Sequence, residues 1–330
     1  MDWGLIFETT IRAAFTKDAI VFALAGIGLN IHFGYTGLLN FGQAAFVALG
    51  AYGVGVTVEY FDQSMWLGVL AGLIAAAVFA LILGVPTLRL RADYLAIVTI
   101  AAAESLRLIL RSVTFSDYFG GSSGINNFAG EFYDVNPYNP GRYGFGPLEF
   151  RHTDLWPMTV GWGLVVIVAV LVYLLMRSPW GRVLKSIRED EDAARSLGKN
   201  VFSYKMQALV LGGMIGALGG FINAVATQSV QPDNFGTPLT FFILTSLLLG
   251  GAARVIGPIV GAMLFWMVLA FTDTFLRQAD NNDLIPDAIM TGTQVGAVRF
   301  ILVGVLLAGL IVFRPQGIFG DRREIELDAR

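Results

Sequence analysis

Few side chains in this sequence are equipped for chemistry, and their spacing limits what they can do. Glu104 and Arg107 stand three residues apart in an otherwise apolar run, which puts an acid and a base on one helical face. Counted from Asp93, Glu104 lies about 16 Å along such a helix. An isolated charge that deep among apolar neighbours costs several kcal/mol. The two therefore either pair and lock helices together or line a wet path for a polar solute. The histidines His32 and His152 are far apart and lack metal-ligand spacing, so each reads as structural and no metal site is expected. The only Gly-Lys pair, Gly198-Lys199, has no upstream glycine at phosphate-loop spacing and is followed by Asn200, so this chain is not expected to hydrolyse ATP. With no cysteine and no Ser/His/Asp grouping, nucleophilic catalysis has no candidate.

Two polar segments remain. Residues 34–43 interrupt an apolar run with Gly34, Gly37 and Gly42, the amides Asn40 and Gln43, and Tyr35, with Asn30 just before and Phe46 just after. Turn-prone residues at that point break a helix and open its backbone groups to a solute. Glycines at four-residue spacing elsewhere, such as Gly212, Gly216 and Gly220, read instead as close helix packing. The second segment, 178–200, predicts one or two short helices, with Ser178 as cap, Pro179 at the first helical position and Gly198 as the stop. Arg188, Glu189, Asp190, Glu191 and Asp192 crowd charges of both signs into its middle. Such a run is either a solvated face or a docking element.

The elements that must position these groups are membrane helices. Of 330 residues 55% are hydrophobic and 14% charged, against roughly 25% charged in soluble domains, and the mean hydropathy is +0.65. The net charge of −3 gives no reason to expect nucleic acid. About 20 apolar residues cross a hydrocarbon core of about 30 Å. Candidate spans are 18–33, 36–60, 65–88, 93–111, 157–176, 206–227, 238–252, 256–276 and 298–313, the first and seventh being short. An all-α, polytopic transmembrane bundle of roughly eight to ten helices follows, as one domain over 1–330.

Most Lys and Arg fall at 89–91, 177–205, 254 and 314–330, including Arg89, Arg91, Arg254, Arg314, Arg322, Arg323 and Arg330, whereas 112–156 holds only Arg142 and Arg151. The positive-inside rule then makes 178–205 and the tail 314–330 cytoplasmic and 112–156 external. The N-terminus comes out external, and Arg12 and Lys17 leave room for an extra interfacial or crossing helix within 1–17. The 112–156 loop, rich in Gly, Asn, Pro and aromatic residues, reads as an ordered cap that either receives a partner or only covers the bundle.

Collinear motifs carry a resemblance. Asp192-Ala193-Ala194, followed after three residues by Gly198, resembles the E-A-A-x-x-x-G loop through which ABC importer permeases engage their ATPase, with Asp in place of Glu. The stretch from Gly34 through Gln43 to Phe46, the block from Leu90 through Tyr94 to Thr99, and Gly120-Gly121-Ser122-Ser123-Gly124-Ile125 look like permease subunits of branched-chain amino acid ABC importers. So do Leu249-Gly250-Gly251, Gly257-Pro258 and Phe313-Arg314-Pro315-Gln316-Gly317. Gln43, where many relatives carry His, and the long external loop are departures.

The resemblance implies a subunit of the bacterial cytoplasmic membrane that binds no cofactor itself. A soluble binding protein, periplasmic or lipid-anchored, delivers the ligand; a homologous second permease completes the path; and two ABC ATPase subunits carry ATP and Mg. It assigns ATPase coupling to Arg188, Glu189, Asp190, Glu191, Asp192, Ala193, Ala194 and Gly198. The translocation-path candidates, from spacing and resemblance together, are Asn30, Tyr35, Asn40, Gln43, Phe46, Tyr94, Glu104 and Arg107, and reversing Glu189 and Glu191 is expected to uncouple ATPase activity from uptake. A related urea or short-amide importer, and an ion-coupled secondary transporter with Glu104 as proton site, stand as alternatives.

Overall fold

The helix Lys17–Asn30 is apolar on every side, and a helix of that kind must be wrapped by others. In the computed structural model, which describes residues 1–88, 92–144, 146–282, 294–313 and 317–319, each of its residues from Ala19 to Asn30 is buried. Arg89, Arg91, Arg314, Arg322, Arg323 and Arg330 lie outside the described residues.

In chain order the helices are α1 (Trp3–Ala13), α2 (Lys17–Asn30), α3 (Gln43–Glu59), α4 (Met65–Thr87), α5 (Ala92–Arg111), α6 (Ser116–Phe119), α7 (Gly130–Asp134), α8 (His152–Arg177), α9 (Pro179–Glu189), α10 (Glu191–Ser196), α11 (Val201–Thr227), α12 (Thr237–Gly250), α13 (Ile256–Asn281) and α14 (Val295–Phe313). Helices α4, α8, α11 and α13 are each long and apolar enough to cross a membrane, as is the run Trp3–Tyr35, whereas α3 and α12 are shorter apolar helices.

The centre is the trio α2, α3 and α11, with α8, α12 and α13 against α2, and α4 against α3 and α11. Glycine sets this packing, because backbones meet where a side chain would stand. A Cβ on Gly28 would fall on the Gly212 carbonyl oxygen, and one on Gly220 on that of Val47. Helix α5 lies at the edge, touching α3, α4 and the turn Pro232–Phe235. It leaves Tyr94, Ile97, Ala101, Ser105 and Leu108 exposed along one face.

One expected span is shortened: the second begins at Gln43, not at 36, because residues 37–42 leave the helix after a π turn at Ile31–Tyr35. Helix α12, the seventh span, is short as expected, with 14 residues or about 21 Å. Its inner end is met by the tail, where Ile318 and Phe319 amides donate to the Leu249 and Gly250 carbonyls. Finally, α1 is a separate helix, started by the Asp2 carboxylate accepting from the Leu5 amide. It runs antiparallel along the outer turns of α13: the Asp2 amide meets Gln278, and the Thr9 hydroxyl meets that of Thr274.

The 112–156 segment is an ordered cap. Its strand β1 (Ile125–Asn126) pairs antiparallel with β4 (Ser229–Val230), and β2 (Arg142–Tyr143) with β3 (Phe150–Arg151). Phe128 and Phe132 are buried beneath it, the Tyr133 hydroxyl donates to the Val225 carbonyl at 3.1 Å, and Glu131 caps α4 at the Met65 amide at 2.9 Å.

Candidate functional site

The 178–200 loop, expected on the inner face, folds from its own caps. The Ser178 hydroxyl accepts from the Trp180 amide and Pro179 opens α9; the Asp190 carboxylate accepts from the Ala193 amide and opens α10. At Gly198, φ is +77°, which lets the chain reverse and the Lys199 amide reach the Ala194 carbonyl at 3.2 Å. Leu184 and Ile187 are buried beneath α9, and Ala194 packs with Ile187 and Val201. Glu191 bonds to Lys205 on α11 and, at 3.0 Å, to Arg195, which also reaches Asp192 at 3.2 Å. The loop is therefore one braced unit on the end of α11.

The residues expected to face an ATPase divide accordingly. Asp192 has its side chain 90% exposed, and Leu197, at the C-terminal end of the same helix, is 79% exposed. Glu189, Asp190, Ala193 and Gly198 are also exposed. Ala194 is buried and Glu191 is engaged within the loop. Arg188 points the other way: its guanidinium donates to the Gly34 carbonyl at 2.6 Å, and its side-chain stem lies against Gly37. The Lys185 ammonium sits 5.9 Å from the Tyr35 ring centre.

Arg188 thus touches the broken helix directly. There the amide of Asn30 donates to the Arg254 carbonyl and accepts from the Ala253 amide, each at 2.9 Å, tying the end of α2 to the α12–α13 loop. His32 Nε2 meets the Leu209 carbonyl at 3.1 Å and its Nδ1 meets the Asn40 amide at 3.0 Å, so the tautomer with hydrogen on Nε2 satisfies both. Asn40 also donates to Gln43 Oε1 and accepts from the Gly42 amide, while Gln43 Nε2 donates to the Ala25 carbonyl at 3.1 Å and reaches that of Gly212 at 3.5 Å. Threonines close the ends: Thr99 on α5 accepts from the Phe41 amide at 3.0 Å, and Thr240 on α12 accepts from the Ala44 amide at 2.9 Å. Phe46 packs on Phe79 with ring centres 5.3 Å apart.

The residues expected along a path therefore fall into three groups. Asn30, Tyr35, Asn40, Gln43 and Phe46 are enclosed by protein atoms and form a buried polar joint between α2, α3, α5, α11 and α12. His32 has the structural place read for it, whereas Thr99 and Thr240 were not placed in this joint, because an isolated Thr in an apolar run carries no local signal. Tyr94 belongs to the exposed face of α5. Glu104 and Arg107 pair at 2.5 Å, and Arg107 also binds Asp233 at 2.6 Å, with Arg111 at 3.4 Å from the same carboxylate. The pair lies in the C-terminal half of α5, where it fastens that helix to the turn before α12.

Comparison with known proteins agrees with this organisation. The family described as "Branched-chain amino acid transport system / permease component" matches residues 11–293. The chain is 29% identical over 310 residues to the high-affinity branched-chain amino acid transport system permease protein LivM of Escherichia coli, covering 91% of this chain and 68% of that one. It is 24% identical to the probable LivM of Methanocaldococcus jannaschii, covering 92% and 91%, and 28% identical to the nucleoside ABC transporter permease protein NupC of Lactococcus lactis, covering 79% and 78%. With a helical bundle of membrane-spanning length beneath a braced inner loop, the chain belongs to the branched-chain amino acid transport permease family, as a multi-pass ABC importer permease subunit of the cytoplasmic membrane.

Proposed function

We propose that this chain translocates branched-chain amino acids, received from a soluble binding protein and driven by two ATPase subunits docked on the exposed turn of Asp192 and Leu197. The exposed face of α5, from Tyr94 to Leu108, meets a homologous second permease, and the ligand passes between the two. ATP and Mg stay on the partner subunits. The observation that carries the mechanism is the 2.6 Å bond from Arg188 to the Gly34 carbonyl. A displacement of the inner loop reaches the broken helix through that contact, then α5 through the Phe41–Thr99 bond, and the outer end of α5 is held by Arg107 and Asp233.

A joint of amides and hydroxyls suits this role. Neutral hydrogen bonds inside a bundle are worth about 0.5–1.5 kcal/mol each and can be exchanged singly, whereas separating a buried ion pair costs several kcal/mol. The substrate class rests on the LivM relatives; the nucleoside permease supports a second reading, nucleosides.

The test is reconstitution of the assembled complex in proteoliposomes with its binding protein, following labelled leucine and adenosine with and without ATP. ATP-dependent leucine uptake that survives a protonophore supports the proposal. Adenosine uptake in its place moves the substrate class to nucleosides, and uptake that collapses with the proton gradient refutes ATP drive.

A further inference from the structure

Where the cap, the α1–α2 turn and α8 meet, two adjoining open clefts of opposite character face outward. One, of about 300 Å³, is lined by apolar groups including Phe15, Leu148, Leu155, Met158 and Trp162. The other, of about 280 Å³, is lined by Arg12, Lys17, Asp18 and Asp154, and shares Phe150 and Met158 with the first. The Trp162 indole donates to the Phe15 carbonyl at 3.1 Å, holding the α1–α2 turn against α8. Below them, a groove of about 550 Å³ runs down α8 past Val166, Val170 and Leu174.

We propose that this is a binding site for one phospholipid of the outer leaflet with a phosphate and a primary ammonium in its headgroup, of the phosphatidylethanolamine type. The charges fit that headgroup. Two cations and two carboxylates around one polar cavity match a group carrying one charge of each sign. Arg12 places one Nη on the Glu149 carbonyl at 2.5 Å and lies 5.0 Å over the Phe150 ring. A guanidinium has five N–H donors, so donors remain for a phosphate oxygen. Lys17 and Asp18 form an ion pair at 3.1 Å on the surface of the turn. Asp154, in the first turn of α8, supplies a carboxylate for the ammonium.

The apolar part fits a chain and not a single small side chain. One leaflet of a core about 30 Å thick is about 15 Å deep, and at about 1.5 Å per residue that is the distance from Leu155 to near Val166, where the α8 groove takes over. Phe150 and Met158 stand at the junction of the two compartments, and Tyr143 and Trp162 line the apolar one. A lipid seated there adds to the direct bonds that already hold α1 and the cap to α8.

Native mass spectrometry of the purified full complex, after exchange into phosphatidylethanolamine, phosphatidylcholine or phosphatidylglycerol, tests the proposal. The wild type should retain phosphatidylethanolamine preferentially. Arg12→Gln with Lys17→Gln should weaken retention about tenfold, the size expected from losing a charge-assisted contact. Leu155→Trp, which fills the apolar cavity and leaves the charges intact, should reduce retention of all three lipids. Melting of each variant in detergent alone checks that it folds. Equal retention of the three headgroups by the wild type, or wild-type retention by the double variant, would overturn the assignment. Displacement of the lipid by millimolar free leucine would also overturn it, because the cavity would then belong to the transported ligand.

Discussion

Replacing Arg188 with alanine removes a side-chain bond that joins the inner loop to the broken helix, and the consequence can be sized. A hydrogen bond from a charged donor to a carbonyl contributes about 1.5–3 kcal/mol, and the part-buried setting of this one puts it nearer 1–2 kcal/mol. That is a factor of about 5–30 in the ratio of linked to unlinked arrangements. If the loop drives the bundle through this contact, leucine taken up per ATP hydrolysed should fall by about that factor, while ATP hydrolysis and assembly of the complex persist. Arg188→Lys keeps a cation and one donor and should recover part of the loss. Gly37→Ala approaches the same contact from the other side. Its φ of +70° is unfavourable for alanine, and the new Cβ would stand 3.3 Å from the Arg188 side chain. Its effect on coupling should therefore be less than additive with that of Arg188→Ala, as expected for two changes to one contact. Uptake per ATP in Arg188→Ala within twofold of wild type, at equal melting temperature, would refute the relay.

Asp192→Lys with Leu197→Asp alters only exposed groups, so the permease should melt as wild type but lose co-purification with its ATPase subunits; retained co-purification would move the docking surface elsewhere. Because Glu191 is committed to Lys205 and Arg195, reversing it disturbs the loop itself, which makes Asp192 and Leu197 the cleaner probe. Gln43→Ala leaves Asn40 and two main-chain carbonyls short of a partner and should lower unfolding stability in detergent by about 1–3 kcal/mol, read as a drop in melting temperature. Tyr52→Phe should leave stability unchanged or slightly raised, since the buried Tyr52 hydroxyl has no hydrogen-bond partner among the described residues; a clear drop in melting temperature would reveal a partner such as a bound water.

The spans were legible because membrane helices announce themselves by length and apolarity. Residues 65–88, 93–111 and 256–276 were read within a few residues of α4, α5 and the start of α13. The caps of the inner loop were legible for the same local reason: Ser178, Pro179 and Gly198 act on neighbours within four residues. What sequence could not give was the pairing of polar groups across helices. Asn40 and Gln43 lie in a segment that reads as exposed and solute-facing, yet their partners are His32 on the same broken helix and main-chain atoms 18 and 169 residues away. Those partners exist only because Gly212, Gly216 and Gly28 let α2, α3 and α11 approach closely enough for an amide to reach a helix carbonyl. The glycines were read as packing and the amides as path, when each explains the other.

That dependence bears on how such a protein combines order with motion. A helix broken inside a bundle leaves carbonyls and amides that lipid cannot satisfy, so each must find a protein partner in every conformation the transporter visits. Gly34 meets this need with a guanidinium from the loop below, Phe41 with a hydroxyl from α5, and Ala44 with one from α12. Any movement of α5 or of the inner loop must therefore either carry residues 31–44 with it or leave a main-chain group unpaired at a cost of about 1–3 kcal/mol. The same cost that makes the joint hold its shape obliges its neighbours to move together, and a joint so connected needs no ligand of its own to transmit a stroke from the inner surface to the outer end of α5.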